Sequence, residues 1–153
     1  MANIVFNIAK GRVVEYYNRV KSNDPANSAL ILVPIETTGL QSDATLIDMD
    51  DLAAVLAGAT NEQTTMGRKT LTDAQLAALP APDDTNDRYD VSLPSVTWTA
   101  ASGNAISKIL VAYDSDTTGG ADSAIIPLTM FDAAATPDGN DLVLNTGVFY
   151  RAS

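Results

Sequence analysis

"KILVAYDSDTTGGADSAIIPL", residues 108–128, places two β-branched apolar runs on either side of three aspartates and a glycine pair. If the middle is a metal or phosphate loop, the chain is a candidate for ion-dependent chemistry. If it only reverses direction, the flanks are paired strands. In the first run Ile109, Val111 and Tyr113 alternate with Lys108, Leu110 and Ala112, so both faces are largely apolar and the strand belongs at the centre of a sheet. Asp114, Asp116 and Asp122 offer oxygen ligands to a hard cation. An EF-hand loop, however, needs about five ligating positions at fixed offsets and a closing bidentate glutamate. The lysine of a phosphate-cradling loop is missing too. A hairpin tip uses these residue types fully, with aspartates bonding nearby backbone and Gly119 or Gly120 taking positive φ. The reading is a hairpin, with the three aspartates kept as weak metal candidates.

Further short strands surround this pair. "RYDVSL" (88–93), "VTWTA" (96–100), "AIIPLTMF" (124–131), "LVL" (142–144) and "VFYR" (148–151) are separated by turn-forming clusters, the spacing of an antiparallel sandwich or small barrel. "ALILVPI", residues 29–35, reads as a buried strand. The fold expected is mainly β: one antiparallel, jelly-roll-like β-sandwich domain over residues 1–153, with one to three short helices in its N-terminal half. Val5, Ile8, Ala9, Val13, Tyr16, Tyr17 and Val20 fit one helical stripe, although "RVVEYY" suits a strand equally. Within a helical insert at about 45–82, Asp48 is expected to cap a helix. That helix carries Leu52, Val55 and Leu56 on one face, with Asp50 and Asp51 in its first turn and Gly58 past its end. Thr72 and Gln75 form a capping box, with Leu71 and Leu76 at the staple positions and Pro80 beyond.

Composition narrows the chemistry. The chain of 153 residues can bury roughly two-thirds of its unfolded surface. It has neither cysteine nor histidine, which removes disulfides, thiolate and imidazole metal sites, and the usual nucleophile and base pairs. A net charge of −10 disfavours nucleic acid and anionic membrane, and no apolar run is long enough to span a bilayer. Lys10, Arg12, Arg19 and Lys21, opposed only by Glu15, make the first 21 residues +3 and leave −13 elsewhere. That asymmetry marks residues 1–22 as a docking segment whose interface residues are Lys10, Arg12, Tyr16, Tyr17, Arg19 and Lys21. The ordinary reading is a solvated helix face.

Two other constellations have functional and ordinary readings. Asp83, Asp84, Asn86, Asp87 and Asp90 crowd one turn-rich stretch. Paired carboxylates there would suit glycoside cleavage, with Trp98 as a sugar platform, and solvated loop aspartates are the plainer explanation. Trp98 is the only tryptophan, and core packing is the ordinary fate of such a residue. A calcium-dependent adhesion module is a third possibility for the acidic loops.

The stretch from Val96 to Tyr150 resembles a family of short tailed-bacteriophage virion structural proteins. That family's order is a tryptophan-bearing strand, a strand ending in an aromatic and Asp, a Gly-Gly hairpin, an apolar strand, a Gly-Asp turn and a final strand. Here Trp98, Tyr113, Asp114, Gly119, Gly120, Leu128 and "PDGND" (137–141) carry it. "NIAKGR" before "SALILVPI" is similar to the family's opening helix and strand. The segment at about 45–82 is longer than the family's usual one. The resemblance implies a β-sandwich virion component with no enzymatic activity, catalytic residue or cofactor. The expected role is a capsid decoration protein on the phage particle, binding the major capsid protein or other virion proteins as a homo-oligomer such as a trimer. The alternatives are a neck, baseplate or tail-fibre component and, from another class, a carbohydrate-binding or glycan-cleaving sandwich.

Overall fold

The computed structural model describes residues 4–153. In chain order its strands are β1 (Ile4–Val5), β2 (Ala29–Glu36), β3 (Lys69–Leu71), β4 (Tyr89–Leu93), β5 (Val96–Trp98), β6 (Ile106–Asp114), β7 (Ile126–Ala135), β8 (Leu142–Leu144) and β9 (Gly147–Ala152). Four short α-helices, where one to three were expected, are α1 (Val13–Lys21), α2 (Asp43–Leu46), α3 (Leu52–Ala57) and α4 (Asp73–Leu76). None of these helices is long and apolar enough to cross a membrane.

The fold is mainly β and antiparallel. Five strands form the main sheet in the order β1-β7-β6-β2-β3, while β4 pairs with β9 and β5 with β8 as two-stranded ribbons. Strands β2 and β6 sit at its centre, in register from Ala29 opposite Asp114 to Ile35 opposite Lys108. Successive side chains point to opposite faces of a strand, and both faces here are apolar. Leu30, Leu32, Ile109, Val111 and Tyr113 enter one core, Ala29, Ile31, Val33, Ile35, Leu110 and Ala112 the other. Each fully buried Leu, Ile or Val contributes about 1.5–3 kcal/mol, so the pairing register is fixed from both sides. Helix α1 and the two ribbons cover the first face; α2 and α3, with Phe6 and Ile125, cover the second. The result is a sandwich-like stack of layers on the main sheet.

Residues 108–128 are the hairpin they were expected to be, β6 pairing antiparallel with β7. The N-terminal stripe divides. Ile4 and Val5 pair with Met130 and Thr129, Asn7–Ala9 form a 3-10 turn, and Gly11 at φ +77° resets the chain before α1. A glycine there takes a left-handed conformation at little cost. From Val13 the helical period holds, burying Val13, Tyr16, Tyr17 and Val20. Burial of those four outweighs the weak β preference of "RVVEYY".

In the segment expected to be a helical insert, α3 is capped by Asp51, not Asp48. The Asp51 carboxylate accepts from the Ala54 N–H at 2.7 Å, and the first turn beyond the cap holds no acid. Turning Leu52 and Val55 to the core fixes the helix start, so the cap falls immediately before Leu52. Asp48 instead accepts from the Asn7 side-chain amide. The capping box of Thr72 and Gln75 is present on α4, with Leu71 and Leu76 both buried. Besides helices, this segment supplies β3, which closes the sheet by pairing Lys69, Thr70 and Leu71 with Leu32, Ile31 and Leu30.

Candidate docking surface

Of the six residues expected at a docking interface, three form an exposed basic surface. Lys10, Arg12 and Arg19 are exposed around the start and outer side of α1. Arg12 and Arg19 both reach Glu15 at 3.1 Å. Their guanidinium hydrogen bonds, Arg12's first, hold the Glu15 carboxyl below its ordinary range. Arg12 also lies 4.6 Å over the Tyr16 ring. Lys21 turns inward, donating to the Leu79 and Pro80 carbonyls at 2.7 and 3.3 Å.

Tyr16 and Tyr17 correct the expectation. Tyr16 stacks on Tyr113 with ring centroids 4.7 Å apart, and Tyr17 lies 6.2 Å from both Tyr89 and Phe149. Both are buried, and burial pushes the Tyr17 hydroxyl up to about 12. The helical stripe that carries Tyr16 and Tyr17 anchors α1 to the sheet and the β4–β9 ribbon. Trp98 is likewise a core residue, its indole N–H donating to the Gly67 carbonyl at 2.9 Å, so its ring offers no sugar platform.

The three aspartates of the hairpin do separate work. Asp114 accepts from the Asp116 N–H at 3.0 Å, and Asp116 accepts from the Thr118 N–H at 3.0 Å and from its hydroxyl. Thr117 ties the tip to the Asn27 carbonyl through both its N–H and its hydroxyl, each at 3.0 Å. Gly120 takes φ +102°. Asp122, past the tip, pairs with Arg68 at 2.7 Å. The Arg68 hydrogen bonds hold its carboxyl below the ordinary range. The adjacent edge of that guanidinium donates to Glu62, clamping the 62–68 loop to the hairpin.

The second acidic cluster is built in the same manner. Asp83 accepts from the backbone of Thr85 and Asn86 and from the Asn86 amide, while Asp90 is held by Arg151 and Arg88. The Asp83 and Asp90 contacts shape the loop, and Asp83, Asp84 and Asp87 line one open hollow of about 350 Å³ with Arg88 and Tyr89. Among the described residues no group of three or more acidic side chains is placed to hold a metal ion.

A surface the sequence reading missed lies on the ribbon side. There, two adjoining hollows of about 150 and 360 Å³ share Phe131, Leu144 and Asn145. Leu93, Val148 and Phe149 wall the smaller one; Ile106, Ile109 and Leu142 contribute to the larger. Val143, in the wall of the larger hollow, and Val148, in that of the smaller, are each 49% exposed. A signal was available in "LVLNTGVFY", where apolar residues outnumber the inward positions of two short strands. Their exposure follows because β8 joins the β5 ribbon and β9 the β4 ribbon, so "NTG" passes between ribbons and leaves a corner. Comparison with family models, curated proteins and solved structures finds no match to this chain.

Proposed function

We propose that this chain is a structural subunit of a tailed-bacteriophage virion, a capsid decoration protein that binds the outer shell as a homo-oligomer. The observation that carries the reading is where the residues of the resemblance sit. Trp98 fills the core, Asp114 shapes the reversal between β6 and β7, Gly120 supplies its positive φ, and "PDGND" links β7 to β8. Residues so used define a shape, and a shape acts by fitting its neighbours. The basic surface of Lys10, Arg12 and Arg19 faces outward from a chain that is otherwise strongly acidic, and it suits an acidic patch on the shell.

The test is co-sedimentation with capsids that lack the protein. Lys10, Arg12 and Arg19 are changed to Glu together. Lys21 stays, because its contacts with Leu79 and Pro80 are internal. Wild type is expected to pellet with the shells and the triple variant to remain in the supernatant. Equal retention removes the basic surface from the contact. Labelling of intact particles by a specific antibody at the neck, baseplate or fibres, with the shell unlabelled, replaces decoration with a tail role.

A further inference from the structure

We infer that the apolar corner between the two ribbons is where copies of this chain meet. The inference rests on the virion reading in one respect, since a decorating oligomer needs a contact between its own copies; it specifies which one. Three features favour a second copy as occupant.

The first is charge. Each copy carries −10, so two copies repel over most of their surfaces. The walls of the hollows carry one charged residue, Asp132, which is paired with Lys108 at 2.7 Å. Like-charged copies can approach closely at such a face, whereas a basic partner would gain more from the acidic loops. The second is shape. Val148 lines the smaller hollow and Val143 the larger, and each is 49% exposed, so one patch combines apolar recesses with apolar side chains that solvent still reaches. A surface that complements itself is the requirement of a contact between identical chains. The third is the strand edge: β8 and β9 each pair on one side only, leaving backbone donors and acceptors beside the hollows.

The test uses the purified full chain in sedimentation velocity at about 5–100 μM. The expected wild-type mass is twice the 16.0 kDa chain mass or a higher multiple. Val143→Asp with Val148→Asp is expected to sediment as a monomer. Both side chains are half exposed, so this variant should fold, and unchanged circular dichroism and urea midpoint verify that it does. Raising the salt from about 50 to 500 mM should tighten wild-type association, because it screens repulsion between acidic copies. Changing Lys10, Arg12 and Arg19 to Glu makes each copy more acidic without touching the corner, so the oligomer should persist at about 500 mM salt, where the added repulsion is screened. A monomeric wild type, an oligomer that survives the folded double variant, or association that weakens with salt each overturns the inference. Capsid retention is scored separately: a wild-type oligomer that fails to bind shells counts against the virion reading alone.

Discussion

Arg68→Met should remove the clamp between the 62–68 loop and the β6–β7 hairpin, and the geometry sets the size of the loss. The guanidinium donates twice to Glu62, at 2.8 and 2.7 Å, and twice to Asp122, at 2.7 and 2.9 Å. Side-chain exposure is 28% for Arg68, 13% for Glu62 and 37% for Asp122. A fully exposed pair is worth about 0–1 kcal/mol, and removing one partner of a buried pair costs about 3–5 kcal/mol. Water can solvate much of Asp122 but little of Glu62, which places the expected loss near 2 kcal/mol at neutral pH. For a domain of this length that is roughly 4–8 °C in Tm. Urea unfolding followed by tryptophan fluorescence measures it, since the single Trp98 is buried. The pH dependence gives a second check. Arg68 depresses the Asp122 carboxyl in the folded state, so its stabilisation is fully present above the unfolded value of ~3.9 and is lost as pH falls through the lower folded value. The gap between wild type and variant should therefore narrow below about pH 4, while Arg68→Lys, keeping charge without the fork, falls between them. A loss under ~0.5 kcal/mol at pH 7, or a gap that stays constant down to pH 2.5, refutes the clamp.

Two further substitutions probe the core and the corrected cap. Trp98→Ala should cost about 3–5 kcal/mol by opening a cavity, and Trp98→Phe about 1–3 kcal/mol by stranding the Gly67 carbonyl; thermal unfolding followed by circular dichroism measures both. Asp51→Ala should cost about 1 kcal/mol through loss of the bond to the Ala54 N–H, and Asp48→Ala less than ~0.5 kcal/mol; the opposite order in urea titrations would restore Asp48 as the cap.

The central sheet was legible because β2 and β6 carry short, continuous apolar runs rich in β-branched residues and bounded by turn signals, the pattern of strands buried on both faces. The hairpin was legible from turn chemistry alone, Asp and Gly at the tip meaning the same thing in many folds. Three-residue β3 and four-residue α2 were not, since neither is long enough to show a period. The choice between Asp48 and Asp51 turned on which residue first faces the core, a tertiary fact that two nearby acids of equal capping ability cannot signal. Tyr16 and Tyr17 failed as interface residues for a related reason. An amphipathic helix shows one apolar stripe, and sequence does not say whether the stripe faces the same chain or another.

The ribbon corner raises that ambiguity again, and charge helps to resolve it. A stripe of apolar residues inside one chain meets its partner at high effective concentration, so α1 packs inward whatever the net charge. An apolar corner left outside must find a partner in solution, where each approaching copy brings ten negative charges. Apolar attraction acts only at contact, whereas repulsion reaches over about 8–10 Å at physiological salt. Dilute copies would then stay apart, and concentrated or salt-screened copies would join. On the virion reading proposed above, the shell itself would supply the concentration: adjacent docking through Lys10, Arg12 and Arg19 would hold neighbouring corners close enough for apolar contact to prevail. Basic docking and apolar self-contact are then coupled. Weakening either should broaden the binding isotherm on capsids before it abolishes binding, and a double variant should lose less than the two single losses combined, because each single change already forfeits the coupling.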